Sequence, residues 1–180
     1  QGKKNRASKI PNRLDITERP AEIEEREQAG HWEVDTVVSW QSAVLVERKT
    51  RYYLVIRMED KSARSMRRAL EQALRRLPPR LRRTLAYDNG LENALHELVN
   101  EALGTKSYFC KPYHSWEKGS IENRNGILRR CYPKKYDFAL TSQKEINRIV
   151  RKINSMPMKC LGYRTPAEVF AKCVGAALAG

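Results

Sequence analysis

The sequence predicts an α/β fold: a mixed five-stranded sheet flanked by helices. Three observations carry this expectation. Between residues 31 and 58, three short strand-like runs follow each other through short links, as in an antiparallel meander. From residue 63 onward, helical and strand patterns take turns, which adds further strands and places helices on the faces of the sheet. Hydrophobic residues make up 41% of the 180, enough for a packed core, so wholesale disorder is excluded.

The elements follow in order. Residues 1–30 read as a linker or extension: Pro11 and Pro20 interrupt it, and no apolar period persists. Within it, Ala21 to Ala29 suits a short exposed helix. From Trp32, Val34, Thr36 and Val38 alternate with Glu33, Asp35 and Val37, which predicts the first strand. Ala43 to Glu47 is the second and Arg51 to Met58 the third. Ala63, Met66, Leu70, Ala73, Leu74 and Leu77 then share one helical face, and Pro78-Pro79 ends the helix. Thr84 to Tyr87 is a fourth short strand, followed by the turn Asp88-Asn89-Gly90. Leu91, Leu95, Leu98, Val99 and Ala102 mark a helix closed by Gly104. Lys106 to Cys110 is the fifth strand, and Trp116 to about Cys131 another helix. Ser142 and Glu145 form a capping box for a helix carrying Ile146, Ile149, Val150 and Ile153. Thr165-Pro166-Ala167-Glu168 opens a last short helix, with Pro in the first helical position. A ribonuclease-H-like arrangement satisfies this order, with the first and fourth strands side by side.

The charge balance points to partners. Lys and Arg number 35 against 21 Asp and Glu, a net charge of +14. The surplus lies in three stretches, 64–83, 106–135 and 144–172, while the acids concentrate in 84–105, which has no Lys or Arg. Three basic stretches in one small chain favour a nucleic-acid partner, and the acidic stretch suits a held cation. No apolar run reaches the length of a membrane span, and the first residues have no apolar stretch of a secretory signal. The four cysteines and three histidines lack the close spacing of a zinc site, so free thiols in a reducing compartment are expected.

Three acids stand out by position. Asp35 lies within the first strand, Asp88 just beyond the fourth, and Glu122 on the helix after Gly119-Ser120. Side-by-side first and fourth strands bring Asp35 and Asp88 together at one edge of the sheet, and a crossing helix delivers Glu122. Gathered carboxylates repel one another unless cations neutralise them, and hard oxygen ligands suit Mg²⁺ or Mn²⁺. Two such ions can clamp an in-line displacement at a phosphodiester. Spacing alone leaves other readings open: a salt-bridged Asp35, a turn Asp88 and a solvated Glu122. Glu33 is expected on the sheet face opposite Asp35, outside the site.

The strings around these acids narrow the choice. His31-Trp32-Glu33-Val34-Asp35, Val46-Glu47-Arg48-Lys49-Thr50-Arg51-Tyr52, Asp88-Asn89-Gly90 and Pro112-Tyr113-His114-Ser115-Trp116-Glu117-Lys118-Gly119-Ser120-Ile121-Glu122-Asn123 stand in one order. Asn125-Gly126, Leu128-Arg129-Arg130 and the run Leu161 to Phe170 continue it. Together they closely resemble the catalytic core of the insertion-sequence-thirty family of bacterial transposases, within the DDE transposase and retroviral integrase superfamily. The 33 residues between Asp88 and Glu122 match that pattern. Val34 departs from it, standing where a small residue, often Gly, is expected beside the first Asp.

The resemblance implies an integrase-type catalytic core over 31–175, with a tail at 176–180. It implies a transposase: DNA cleavage at transposon ends and strand transfer into target DNA, with Asp35, Asp88 and Glu122 as catalytic, metal-binding acids for two Mg²⁺ or Mn²⁺ ions. The implied partners are double-stranded DNA and further copies of the chain, as a homodimer or higher multimer, with no membrane. The implied location is the bacterial cytoplasm, near the nucleoid. Position 1 is Gln, and the family's N-terminal helix-turn-helix segments have no counterpart here, so the chain is expected to be a piece beginning in the linker after them. A nuclease of the same fold and a non-catalytic DNA-binding module are the competing readings.

Other residues receive supporting roles. Lys118, Glu122, Asn125 and Arg129 share one helical stripe, so Lys118 and Arg129 suit a grip on phosphate. Arg130, Lys49 and Arg51 complete the expected DNA-binding set. Asn89 and Gly90 shape the turn that presents Asp88, and Asn125 supports the site. His31 is expected to make a structural hydrogen bond, Trp116 to anchor the core, and Glu92 to stand behind the Asp88 turn. The arginines at 64, 67, 68, 75 and 76 form either a DNA-backbone track or a solvated face.

Overall fold

The computed structural model describes residues 10–37, 41–111, 119–132 and 141–179. Five strands form one sheet: β1 (His31–Val37), β2 (Ser42–Glu47), β3 (Tyr53–Arg57), β4 (Thr84–Tyr87) and β5 (Lys106–Phe109). The spatial order is β3-β2-β1-β4-β5. The β1–β2 and β2–β3 pairs are antiparallel, while β1–β4 and β4–β5 are parallel. The meander and the adjacency of the first and fourth strands are as expected. Five helices complete the fold: α1 (Ala63–Leu74), α2 (His96–Leu103), α3 (Gly119–Arg130), α4 (Gln143–Asn154) and α5 (Pro166–Ala179).

The period of two in the strands sorts side chains onto two faces. Trp32, Val34, Ala43, Leu45, Leu85, Tyr87 and Phe109 pack with Met66 and Leu70 of α1, Val99 and Leu103 of α2 and Phe170 of α5. Trp32 is fully buried, and its indole N–H donates to Leu81 O at 2.8 Å. On the other face, Val37, Val44, Val46, Tyr53 and Val55 meet Ile121 and Leu128 of α3 and Ile146, Ile149, Val150 and Ile153 of α4. Each fully buried Leu, Ile or Val contributes roughly 1.5–3 kcal/mol, so the two clusters hold the sheet between them.

The segment expected as a linker packs against the sheet over its described part. Ile10, Ile16 and Ile23 are buried. The Phe109 amide donates to Leu14 O at 2.9 Å, and Ile16 joins Ala86, Tyr108 and Cys110 in a third apolar cluster. Asp15 caps a short 3-10 turn at Ile16–Glu18 through a capping box. The helix expected over 21–29 is a single 3-10 turn, Ala21–Ile23, because Ile23 is the one buried apolar side chain there. Residues 176–179 continue α5 instead of forming a tail.

Caps set the other boundaries. Ser142 accepts from the Glu145 amide at 3.2 Å, and Thr165 and Glu168 exchange side-chain-to-backbone bonds at 2.7 and 3.1 Å. Gly104 ends α2 in the left-handed region, at φ 67°. Leu91–Asn93 forms a separate 3-10 turn, so α2 starts later than the sequence suggests. The third strand also starts later, at Tyr53. Thr50 and Arg51 turn the chain instead, closed by Glu47, whose carboxylate accepts from the Thr50 amide and hydroxyl, both at 2.7 Å.

Candidate carboxylate site

The strand register sets the geometry. His31, Trp32 and Glu33 of β1 lie opposite Thr84, Leu85 and Ala86 of β4. Extended two residues beyond the observed pairing, the same offset would set Asp35 level with Asp88, just past the end of β4. Neighbouring strands lie about 4.8 Å apart, so one locality is the expectation for the two aspartates. It lies between the two central strands, toward their C-terminal ends, and not at an outer strand of the sheet.

Each aspartate is held by amide side chains. Asp88 Oδ1 accepts from the Gly90 amide at 3.1 Å and from Asn93 Nδ2 at 2.9 Å. Asn89 turns away from Asp88: its Nδ2 donates to Cys110 O at 2.8 Å, and its Oδ1 accepts from Arg13. Asn89 and Gly90 thus build the turn, as expected. Asp35 Oδ2 accepts from Asn125 Nδ2 at 3.3 Å, and Asn125 Oδ1 accepts from Tyr53 Oη at 2.7 Å. Burial foremost, and then the Asp35 charge, push the Tyr53 phenol well above its ordinary pKa, so it stays a donor.

Glu122 lies in the first turn of α3, exposed, three residues before Asn125. Residues three apart are neighbours on a helix, so Glu122 projects from the flank that carries the Asp35 contact. Among the described residues no three His, Cys, Asp or Glu side chains are gathered into a metal-holding group. The register thus directs Asp35 and Asp88 toward the same end of the β1–β4 pair, with Glu122 on the helix above β1. The donor chemistry, all carboxylate oxygen, fits a hard divalent ion such as Mg²⁺ or Mn²⁺.

Glu33 corrects the sequence reading. Residues 33 and 35 are two apart in a strand, so they share a face. Glu33 is fully buried there, with Oε1 on Arg48 at 3.1 Å and Oε2 accepting from the Ile121 amide at 3.0 Å. It pins the start of α3 to β1. Arg48, 2% exposed, also reaches Glu24 at 3.0 Å. Tyr53, Asn93, Glu33 and Arg48 were not expected to support the site. The period of two was the available signal for Glu33; Asn93 lies five residues after Asp88 in a local turn, whereas Tyr53 depends on tertiary packing.

The expected DNA-binding residues spread widely. Arg129 and Arg130 are exposed in the last turn of α3. Lys49 is half-buried in the turn after β2, and Arg51 donates to Ser120 Oγ at the start of α3. Lys118, His114 and Trp116 lie outside the described residues. Of the arginine stripe on α1, Arg67 and Arg75 clamp Glu71 at 2.7 and 2.8 Å, and Arg68 meets Glu59 at 3.4 Å. His31 makes the expected structural contact, with Nδ1 2.8 Å from Thr84 Oγ1. Glu92 is buried and accepts from Thr36 Oγ1 at 3.2 Å, bracing the strand beside Asp35.

No helix among the described residues is long and apolar enough to cross a membrane. Comparison with solved structures finds the same fold in the catalytic core domain of the bovine immunodeficiency virus integrase, at TM-score 0.59 and 17% identity, over 81% of this chain and 95% of that one. A chain of the simian T-cell lymphotropic virus intasome, in complex with a PP2A regulatory subunit, matches at TM-score 0.63 and 17% identity, over 78% of this chain and 54% of that one. These retroviral cores are ribonuclease-H-like, so the fold is as the sequence predicts. In sequence, the chain is 39% identical over 172 residues to the transposase of insertion sequence element IS1086 from Cupriavidus metallidurans, covering 93% of this chain and 51% of that protein. It is 37% identical over 168 residues to the InsI transposase of IS30A from Escherichia coli, covering 92% and 44%. The chain thus spans about half the length of the curated relatives it matches. The integrase core domain family matches residues 25–115. The chain belongs to the integrase core domain family, and the relatives that share its sequence are transposases of the insertion-sequence-thirty type.

Proposed function

We propose that this chain is the catalytic core of a DNA transposase that cleaves DNA at transposon ends and transfers the freed strand into target DNA. The observation that supports this reading is the parallel β1–β4 pairing, whose offset, extended two residues, would set Asp35 level with Asp88, while Asn125, three residues after Glu122 on α3, contacts Asp35. Asp35, Asp88 and Glu122 would hold two Mg²⁺ or Mn²⁺ ions, which supply nucleophile activation and stabilise the leaving oxygen. The chain's own residues fix the carboxylates: Asn93 and the Gly90 amide orient Asp88, and Asn125 orients Asp35. Cleavage adds a water oxygen to phosphorus and releases a 3′-OH; joining adds that 3′-OH to a target phosphodiester and releases a target 3′-OH. Both are displacements at phosphorus with no covalent enzyme intermediate.

The proposed partners are double-stranded DNA, as transposon end and as target, and a second copy of the chain. The net charge of +14 supports the first through contacts to phosphate. The cytoplasm is the location this function requires in a bacterium.

The test uses a chain extended with the N-terminal segments of the relatives, on transposon-end duplexes with Mn²⁺. Wild type nicks and joins, and Glu122→Gln does neither while still binding DNA. Equal cleavage by Glu122→Gln overturns the assignment. Cleavage of end DNA without joining of pre-cut ends reduces the function to that of a nuclease.

A further inference from the structure

Three arginines surround a cavity of about 250 Å³ on the flank of α3 away from Glu122. Arg26 comes from the segment before β1, Arg51 from the turn before β3, and Arg124 from α3 itself. Ser120 and Gly119 line the same cavity at the helix start. At 100° per residue, Ser120 and Arg124 lie on one side of α3 and Glu122 with Asn125 on the other. The cavity is thus separated from the carboxylates by the width of a helix, about 10 Å.

The arginines there lack acidic partners. Among the described residues, none of the three pairs with a carboxylate. Arg124 is 2% exposed, yet its guanidinium meets the sulfur of Met158, a weak acceptor. Arg51 donates to a neutral hydroxyl, that of Ser120. Glu33, the carboxylate nearest in the fold, is committed to Arg48 and the Ile121 amide. Buried cations without a counter-ion are costly. Desolvation foremost holds both Arg26 and Arg124 below the ordinary arginine value, and the Arg51 charge adds to it, against an opposing influence of Cys160 on both and of Glu33 on Arg26.

Two of the three arginines also occupy backbone conformations that disfavour a side chain. Arg26 has φ 57° and Arg51 φ 62°. Glycine takes that region at no steric cost. The fold therefore holds arginine where glycine would serve the turn better.

We propose that this cavity is a phosphate-binding site that receives a backbone phosphate of DNA away from the phosphodiester being cut. Three guanidinium groups supply charge and donors for one tetrahedral oxyanion. The cavity is smaller than the roughly 300 Å³ at which sites for drug-sized ligands begin, so it takes the phosphate and leaves base and sugar outside. The DNA source of that phosphate rests on the proposed function; the anion site itself does not.

The test is the double variant Arg26→Gly and Arg51→Gly, which suits both left-handed positions and keeps the fold, as its melting temperature verifies. Inorganic phosphate is titrated by calorimetry, and a labelled random duplex by anisotropy at several salt concentrations. Wild type binds inorganic phosphate, and the double variant binds it at least tenfold more weakly. For duplex DNA, the slope of log affinity against log salt shrinks by about 0.9, the loss of one phosphate contact. Phosphate affinity equal to wild type overturns the site. Weaker phosphate binding with an unchanged DNA slope identifies a free-phosphate site and overturns the DNA assignment. Neither reading involves cleavage, so failure of the catalytic proposal appears separately, as retained cleavage by Glu122→Gln.

Discussion

Asn125 ties the carboxylate of Asp35 to α3, donating from Nδ2 to Asp35 Oδ2 at 3.3 Å. Its Oδ1 is occupied by the Tyr53 hydroxyl at 2.7 Å, which leaves the amide one productive orientation. A strand residue, a helix residue and a residue two strands away thereby fix the position of one carboxylate.

Removing that amide strands a buried hydroxyl. Asn125→Ala leaves Tyr53 Oη, on a fully buried side chain, without its acceptor. The cost of an orphaned buried polar group is about 1–3 kcal/mol. In a chain of this size that lowers Tm by roughly 2–4 °C per kcal/mol. Adding Tyr53→Phe removes the orphan, so the double variant loses less than the two single losses added together. Thermal melts of the four proteins test this coupling, and strict additivity would contradict it.

The buried ion pair makes a larger prediction. Glu33→Leu leaves Arg48, 2% exposed, with only the exposed Glu24, and takes the acceptor from the Ile121 amide. Breaking a buried pair from one side costs about 3–5 kcal/mol. Glu33→Gln keeps a neutral acceptor for the amide and falls between Leu and wild type. Urea unfolding gives the order wild type, Gln, Leu; equal midpoints for Gln and Leu would show that the amide contact contributes nothing.

Much of this arrangement was legible in the sequence, and the parts that were not share a cause. The meander, the helix caps at Ser142 and Thr165 and the adjacency of β1 and β4 follow from local pattern plus the strand order. Glu33 was misplaced although the period of two assigns it to the face of Asp35. Its burial is made tolerable by Arg48, a buried arginine from the turn after β2, a pairing that spacing along β1 does not encode. The packed segment 10–30 escaped notice because its apolar residues, Ile10, Ile16 and Ile23, carry no regular period. Ile10 and Ile16 join different apolar clusters, and Ile16 and Ile23 sit in separate short 3-10 turns and not in one helix. Tyr53 acts on Asp35 through Asn125, a tertiary contact that spacing along the chain does not encode, while Asn93 reaches Asp88 locally, through the 3-10 turn that replaces the expected start of α2.

His31 gives the stability a pH dependence. It is 6% exposed, and burial, followed by the charges of Arg83, Arg48 and Arg19, pulls its pKa down from 6.5 to about 4. The folded state therefore holds the imidazole neutral where the unfolded state protonates it. The unfolded chain binds more protons between these values, so stability rises with pH across that window. The contribution is complete above pH 6.5 and disappears as pH falls toward 4. His31→Asn retains a polar side chain near Thr84 without this titration. Unfolding free energies at pH 7, 6, 5 and 4.5 are expected to fall less steeply in the variant, and parallel curves would contradict the assignment.

The proposed sharing of one cation site by Asp35 and Asp88 makes opposite predictions with and without cations. Two carboxylates on adjoining strands repel, so Asp88→Asn removes a destabilising interaction in chelator. Asparagine is close to isosteric, and its carbonyl oxygen accepts from the Gly90 amide and Asn93 as Asp88 Oδ1 does. The variant is therefore expected to melt at or above the wild-type temperature in EDTA. Adding Mn²⁺ reverses the order. An ion that binds only the folded state stabilises it by about 2.7 kcal/mol at a hundredfold excess over Kd. Wild type gains that increment as Mn²⁺ is raised, while Asp88→Asn gains little because one ligand charge is gone. Glu122→Gln, at an exposed position in the first turn of α3, is expected to lose less of the Mn²⁺ effect than Asp88→Asn in the absence of DNA. Equal Mn²⁺ shifts for wild type and Asp88→Asn would place the ion elsewhere, and a lower melting temperature for Asp88→Asn in EDTA would show that the aspartates are not repelling across the two strands.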